Sequence, residues 1–264
     1  MSTRIPVALS LLSSAFLVDL PRAEAFGAEG HRIGGLVAEM SLCAQARTEV
    51  DSLAGEESLA DIGIWADRIR GLPRWEHTGP WHYMNIPDGM SLSEYQTPSG
   101  GDILWAIDFF RQRLADLSEP PDSRGEALKF FIHFIVDLHQ PLHVGRETDR
   151  GGTLTEIHLG EDTISLHRFW DTDAIPNNGL PAERYAASIS ALAATPAAEE
   201  VPGDPVDWAR ESQLLRNAVY AFDTISGRID ARYRERAGEI VQDRLVKAGI
   251  RLAAELNDVF CAGD

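Results

Sequence analysis

The segment His133-Phe-Ile-Val-Asp137-Leu-His139-Gln-Pro141-Leu-His143 constrains the fold more than any other part of the chain. It holds three histidines and a carboxylate within eleven residues. His133 and Asp137 are four apart, so on a helix they share one face. Pro141 lacks an N–H and its ring clashes with the preceding turn, so the helix stops there and His143 leaves at a new angle. That arrangement suits two neighbouring metal ions rather than one. A second pair, His167 and Asp171, repeats the four-residue spacing. Imidazole and carboxylate together suit zinc at a hydrolytic site. Two solvated helix faces would be the bland alternative, but two such pairs plus His143 argue against it.

Residues 1–25 read as an export signal. Arg4 supplies the basic start, and Ile5 to Val18 is apolar but too short to span a bilayer comfortably. Ala23-Glu24-Ala25 then fits an A-x-A cleavage site. Cleavage would leave a periplasmic or secreted chain beginning Phe26-Gly27-Ala28-Glu29-Gly30-His31. Residues 26–264, about 239 positions, suffice for one large core, and no linker or repeat divides them. No later segment is long and apolar enough for a membrane helix, so no membrane association is expected; a monomer with no obligate protein partner is expected as well. The formal net charge of −17 argues against binding of nucleic acid by a broadly basic surface. It does not exclude an enzyme whose bound cations attract phosphate locally. Cys43 and Cys261 could pair in an oxidising compartment, tying the first helix to the last, or remain buried thiols.

Helical periodicity dominates, and the class expected is all-α with one small β-hairpin. Helices are expected over His31–Leu42, Ala44–Leu53, Leu59–Arg70, Asp102–Leu117 with an acidic N-cap, Arg124–His139, Pro181–Leu192, Asp207–Ser226 and Ala231–Asn257. Gly71–Gly101 reads as a long functional loop. Leu154–Leu166 alternates around Gly160-Glu161-Asp162 and reads as a hairpin.

Three more candidate ligands join the two pairs: Asp67 in Ile64-Trp65-Ala66-Asp67-Arg68-Ile69-Arg70, His82 in Trp81-His82-Tyr83, and His31. Eight ligands exceed one zinc but suit two or three ions at roughly three or four each with carboxylate bridging. His139 is six residues after His133, about 240° around a helix, and should point off the metal face into a buried hydrogen bond. His77 and His158 have no ligand-type neighbours at useful spacing and read as solvated or structural.

With these residues in order, the chain resembles the S1/P1 family of zinc-dependent single-strand nucleases and 3′-nucleotidases. The resemblance rests on Trp65-Ala-Asp-x-Ile-Arg70, Trp81-His-Tyr83, His133-Phe-x-x-Asp-x-x-Gln-Pro-Leu-His143, Gly151-Gly152 and Leu166-His-x-x-Trp-Asp171, and spans essentially the whole of 26–264. It implies a compact multi-helix domain of the phospholipase C/nuclease type with three zinc ions. One would be held by Asp67, His82, His133 and Asp137. A second would be held by His31, the bridging Asp137, and the amine and carbonyl of Phe26. The third would be held by His143, His167 and Asp171. The implied activity is hydrolysis of single-stranded DNA and RNA to 5′-nucleotides, with 3′-nucleotidase activity, by a hydroxide that two close zincs generate. Asp67 would orient that nucleophile, Arg70 would neutralise charge on the phosphorane, Tyr83 would stack a base and Asn85 would contact it. A free α-amine, with a pKa near 8, can bind zinc when neutral, and Phe26 has one only after cleavage.

Three positions depart from the family pattern: Phe26 stands for Trp, Thr153 for the Asn after the two glycines, and Ser165 for the Asn before Leu166-His167. Phe26 leaves the backbone ligands intact but puts the packing role of the ring in doubt. The other two are expected to alter how ligands are oriented. Zinc phospholipase C is the runner-up, since it shares the fold and the three ions, but its last ligand is Glu where Asp171 stands here. A purely structural or zinc-storing protein fits less well, because structural zinc sites are closed and usually cysteine-rich.

Overall fold

The computed structural model describes residues 26–55, 57–193 and 203–261. The expected export signal, residues 1–25, lies outside them. The first half of the chain forms helices α1 (Gly27–Glu39), α2 (Ala44–Ala54), α3 (Leu59–Ile62) and α4 (Trp65–Ile69), a 3-10 helix (Pro73–His82) and strand β1 (Met84–Ile86). Helices α5 (Ile103–Ala115) and α6 (Pro121–His139) follow, then a short turn over Pro141–His143 and strands β2 (Val144–Arg146), β3 (Glu156–Leu159) and β4 (Asp162–Ser165). Next come α7 (Leu166–Arg168), a π turn (Phe169–Asp173), α8 (Ala182–Ala193), α9 (Pro205–Leu214), α10 (Arg216–Val219) and α11 (Ala231–Cys261). The protein is mostly helical, as expected, with two sheets of two strands each among the described residues.

Side-chain caps set several helix starts. Asp102 accepts from Trp105 N at 3.0 Å, and Ser58 accepts from Asp61 N at 3.1 Å. Pro121 and Pro205 occupy first helical positions, where the missing N–H costs no bond. Helix α6 is the axis of the molecule. Every residue from Phe130 to His139 is buried, which places it in the interior rather than on a face. On one side it meets α2 and α5, its Leu128 sharing one apolar cluster with Ile107 and Phe110 of α5. Its Val136 belongs to a second cluster built by α1, α8 and α11. The helix ends where expected: Gln140 turns extended (φ −78°, ψ 119°) ahead of Pro141.

Three expectations change. The helix over Leu59–Arg70 is broken, because α6 approaches Gly63 so closely that an added Cβ would lie 3.3 Å from Ile132 Cγ2. The supposed loop Gly71–Gly101 contains the 3-10 helix and β1. Strand β1 pairs with β2 in parallel, Asn85 opposite Gly145; no sequence period announces so short a pair. The helix over Asp207–Ser226 is split and shortened, since Arg216 turns inward and donates to Val144 O at 2.7 Å, to Ile86 O at 3.1 Å and to Gly145 O. It thereby fastens β1 to β2. The hairpin β3–β4 lies where expected. Cys43 and Cys261, left open by the sequence, are joined in a disulfide.

Candidate metal centre

The eight expected side-chain ligands come from seven elements and meet in one region. Their donor atoms form three groups: His31, His133 and Asp137; Asp67, His82 and His133; and His143, His167 and Asp171, each within 4.8 Å. Asp137 joins the first two. Its Oδ1 lies 3.2 Å from His31 Nε2, and its Oδ2 lies 3.0 Å from His82 Nδ1 and 3.2 Å from His133 Nε2. Asp67 Oδ1 lies 3.7 Å from His133 Nε2 and 3.9 Å from His82 Nδ1. His167 Nε2 is 3.4 Å from Asp171 Oδ2, although a π turn rather than an α-helix carries the aspartate. Such turns recur at functional sites.

Backbone carbonyls orient three of the rings. His133 Nδ1 donates to Gly63 O at 2.7 Å, His143 Nδ1 to His82 O at 2.6 Å and His167 Nδ1 to Gly151 O at 2.6 Å. Each bond fixes a tautomer whose Nε2 is a lone-pair donor, the pattern of metal-ligating imidazoles. The break at Gly63 thus has a purpose: a carbonyl released from helical bonding holds His133.

The donor set also tests whether a cation fits. Buried polar atoms are nearly always hydrogen-bonded. Here His31 Nε2, Asp67 Oδ1, His82 Nε2, Asp137 Oδ1, His143 Nε2 and Asp171 Oδ2 are buried without a hydrogen-bond partner. Burial lowers His82 to about 4 and His143 to about 3, so both favour the neutral form that binds metal. Burial also pulls on His133, but the Asp137 and Asp67 carboxylates outweigh it and hold this ring at about 8. Burial pushes Asp171 well above the usual carboxylate range, despite the hydrogen bond from Gln140. A bound cation supplies the charge that ionises such a group.

A cleft of about 640 Å³ opens above the third group and is lined by Arg70, Tyr83, Asn85, His143 and His167. Arg70 Nη1 is 3.7 Å from Asp67 Oδ1, so the two share a face as the three-residue spacing required. Tyr83 is exposed, whereas Asn85 on β1 is half-buried. The ring of Phe26 is completely buried and its backbone N–H faces Asp171. The phenylalanine therefore packs into the core at the position where Trp was expected.

The pattern of S1/P1 nucleases matches residues 26–261. The chain belongs to the S1/P1 nuclease family. It is similar to Endonuclease 2 of Arabidopsis thaliana, 28% identical over 96% of this chain and 97% of that protein. Endonuclease 3 of the same plant is 31% identical over 80% and 79%. Nuclease S1 of Aspergillus oryzae is 25% identical over 93% and 96%. Membership makes the chain a hydrolase acting on nucleic-acid phosphoester bonds, with a metal cofactor that its clustered ligands suit.

In this nuclease His139 behaves as expected. It is fully buried, with Nδ1 donating to Ile135 O at 2.7 Å and Nε2 accepting from Arg251 at 3.0 Å. His77 and His158 are exposed. Ser165 caps α7, accepting from Arg168 N at 3.1 Å beside His167. Thr153 lines the cleft. Several supporting residues escaped the sequence reading. Gln140 Nε2 donates to Asp171 Oδ1 at 2.6 Å. Asp149 accepts from Gly152 N at 2.9 Å, Thr155 Oγ1 at 2.7 Å and Tyr220 at 2.7 Å, and so fixes the loop whose Gly151 carbonyl holds His167. Arg150, with φ +53°, lines the cleft. Gln140 sits inside the conspicuous motif and could have been found there; Asp149 carries no local signal.

Proposed function

We propose that the chain is an exported phosphodiesterase that cleaves single-stranded DNA and RNA to 5′-nucleotides and removes phosphate from 3′-nucleotides. The single observation that carries the reading is the convergence of eight nitrogen and oxygen ligands, all buried but the half-buried Asp67 and several with atoms lacking partners, beneath a cleft lined by an aromatic ring, an amide and an arginine. The donors lack cysteine and mix imidazole with carboxylate, which suits zinc. Asp67, His82, His133 and Asp137 would hold one ion; His31, Asp137 and the freed Phe26 amine and carbonyl a second; and His143, His167 and Asp171 the third. When bound, zinc lowers the pKa of water towards neutrality and neutralises phosphate charge.

The protein's own groups do the rest. Asp67 has one oxygen turned to His82 and His133, and its other oxygen accepts the proton of the attacking water. The Arg70 guanidinium donates to the phosphate oxygens as charge grows on them. The exposed Tyr83 ring stacks a base, which must be unpaired to reach it, and the Asn85 amide bonds to its edge. A phosphate-diester substrate enters an otherwise acidic molecule because the site itself is cationic when loaded.

The test incubates the processed protein with single-stranded and duplex oligonucleotides, a 3′-nucleotide and phosphatidylcholine. The expected result is 5′-phosphorylated products from the single strand, slower cleavage of the duplex, and inorganic phosphate from the 3′-nucleotide. Release of phosphocholine with the oligonucleotides left intact would contradict the proposal.

A further inference from the structure

We propose that the exposed Trp105 and Phe109 rings of α5, with His77 of the 3-10 helix, form a track that binds the unpaired bases of a substrate strand beyond the scissile linkage. The proposal rests on the nuclease reading. Among the described residues the exposed large aromatics are Tyr83, Trp105 and Phe109, at 39%, 38% and 37% exposure. They are not scattered. Trp105 and Phe109 are one turn apart on the outer face of α5, with ring centroids 4.9 Å apart and planes 14° from parallel. Trp105 touches Trp81 at 5.3 Å, Trp81 touches His77 at 5.2 Å, and His77 lies over Trp75 at 6.3 Å. Trp75, His77 and Trp81 belong to the 3-10 helix, which also presents Glu76, Gly79 and Pro80 to the cleft and leads directly into Tyr83. One run of contacting rings thus extends from Trp75 through His77 and Trp81 to Trp105 and Phe109, with Trp75 and Trp81 half-buried beneath it and the cleft-lining Gly79 and Pro80 beside it.

Each end of the run carries an arginine. Arg74 lies 4.9 Å from the Trp75 ring and Arg113 lies 5.6 Å from the Phe109 ring. Arg113 also donates to Glu119 and Ser123, which holds it in place. Contiguous exposed apolar surface in a soluble domain marks a binding site. The occupant follows from charge and position. A chain of net charge −17 gains little by releasing counterions from nucleic acid, so affinity along a strand must come from stacking. Every base has a π-face, so stacking tolerates any sequence but needs single strands. The rings touch one another, so bases lie on their exposed faces rather than between them.

The experiment compares kcat/KM on a dinucleotide with one linkage and on a single-stranded 12-mer, for wild type, Trp105→Ala, Phe109→Ala and Trp105→Phe. The dinucleotide cannot reach the track and reports folding and chemistry. The expected result is a loss of about tenfold on the 12-mer in each alanine variant, as for one lost base stack. The dinucleotide rate should stay within about twofold, and Trp105→Phe should recover most of the 12-mer rate. An unchanged 12-mer to dinucleotide ratio overturns the track. So does a dimer or vesicle binding that the alanine variants abolish while that ratio stands. A wild-type protein that cleaves neither substrate overturns the nuclease reading and the track with it.

Discussion

Replacing Glu211 with Gln should cost this protein stability without touching a metal ligand. Glu211 on α9 faces two arginines of α11 whose side chains are only 1% and 3% exposed, Arg244 and Arg251. Arg251 donates to Oε1 at 2.6 Å and to Oε2 at 2.8 Å, and Arg244 also donates to Oε2. Both arginines bond to His139 as well, Arg244 to its carbonyl at 3.0 Å and Arg251 to its ring at 3.0 Å. The network therefore braces the end of α6 just beyond Asp137. Burial raises the Glu211 carboxyl, but the two guanidinium groups outweigh it and hold it at about 2, against an ordinary 4.5. A shift of that size corresponds to about 3 kcal/mol at 1.36 kcal/mol per unit. The carboxylate is 35% exposed, so screening reduces it to about 2 kcal/mol. The Gln amide oxygen still accepts from one arginine, so the loss stays at or below the about 3–5 kcal/mol that breaking a buried pair costs. We expect a loss of about 2–4 kcal/mol at pH 7, or about 5–12 °C in Tm for a domain of this size. The folded-state pKa is depressed, so this stability is present above about 4.5 and is lost as pH falls towards 2. Urea unfolding of metal-loaded wild type and variant at pH 7, 5 and 3.5 measures it. The gap should begin to narrow between about pH 5 and 3.5, where the carboxylate takes up a proton in the unfolded chain while staying ionised in the folded one. A gap below about 0.5 kcal/mol at pH 7, the size of an ordinary surface change, would refute the reasoning. So would a gap that does not vary with pH.

Three further outcomes follow from the site. Asp137→Asn should abolish activity more fully than Asp171→Asn, because Asp137 reaches His31, His82 and His133 at once; equal residual rates with unchanged metal content would remove the bridge. Arg70→Ala should lower kcat by about 10²–10³ with metal content intact, the typical loss for one charged transition-state contact, and a wild-type rate would return Arg70 to a merely structural role. A form that keeps residues 1–25, or carries an extra Met before Phe26, should hold one metal fewer and lose most activity, which assay of all three forms at equal zinc supply checks directly.

Much of the site was legible because its chemistry is local. The His133–Asp137 spacing, the stop at Pro141 and the off-face direction of His139 follow from helix geometry, whereas the His167–Asp171 spacing was legible although a π turn carries the aspartate. The ligands Asp67, His82 and His31 were legible as residue types, but their convergence depends on packing between α1, α4, the 3-10 helix and α6, which periodicity does not encode. The break at Gly63 was missed because the apolar stripe of 59–70 continues across it; only the close approach of α6 and the bond to His133 reveal it. The β1–β2 pair is three residues long and parallel, and Arg216, which fastens it, lies far away in sequence. The aromatic track escaped for the same reason, since Trp81 and Trp105 come from separate elements.

The central claim is that three zinc ions, held by these residues, make the protein a single-strand nuclease. The most direct test strips the processed protein with a chelator and returns zinc in measured amounts. Native mass spectrometry counts bound ions while hydrolysis of a single-stranded oligonucleotide is followed on the same samples. The stripped protein should cleave nothing, and full activity should return only as the third ion binds. Full activity in protein holding one zinc or none would contradict it.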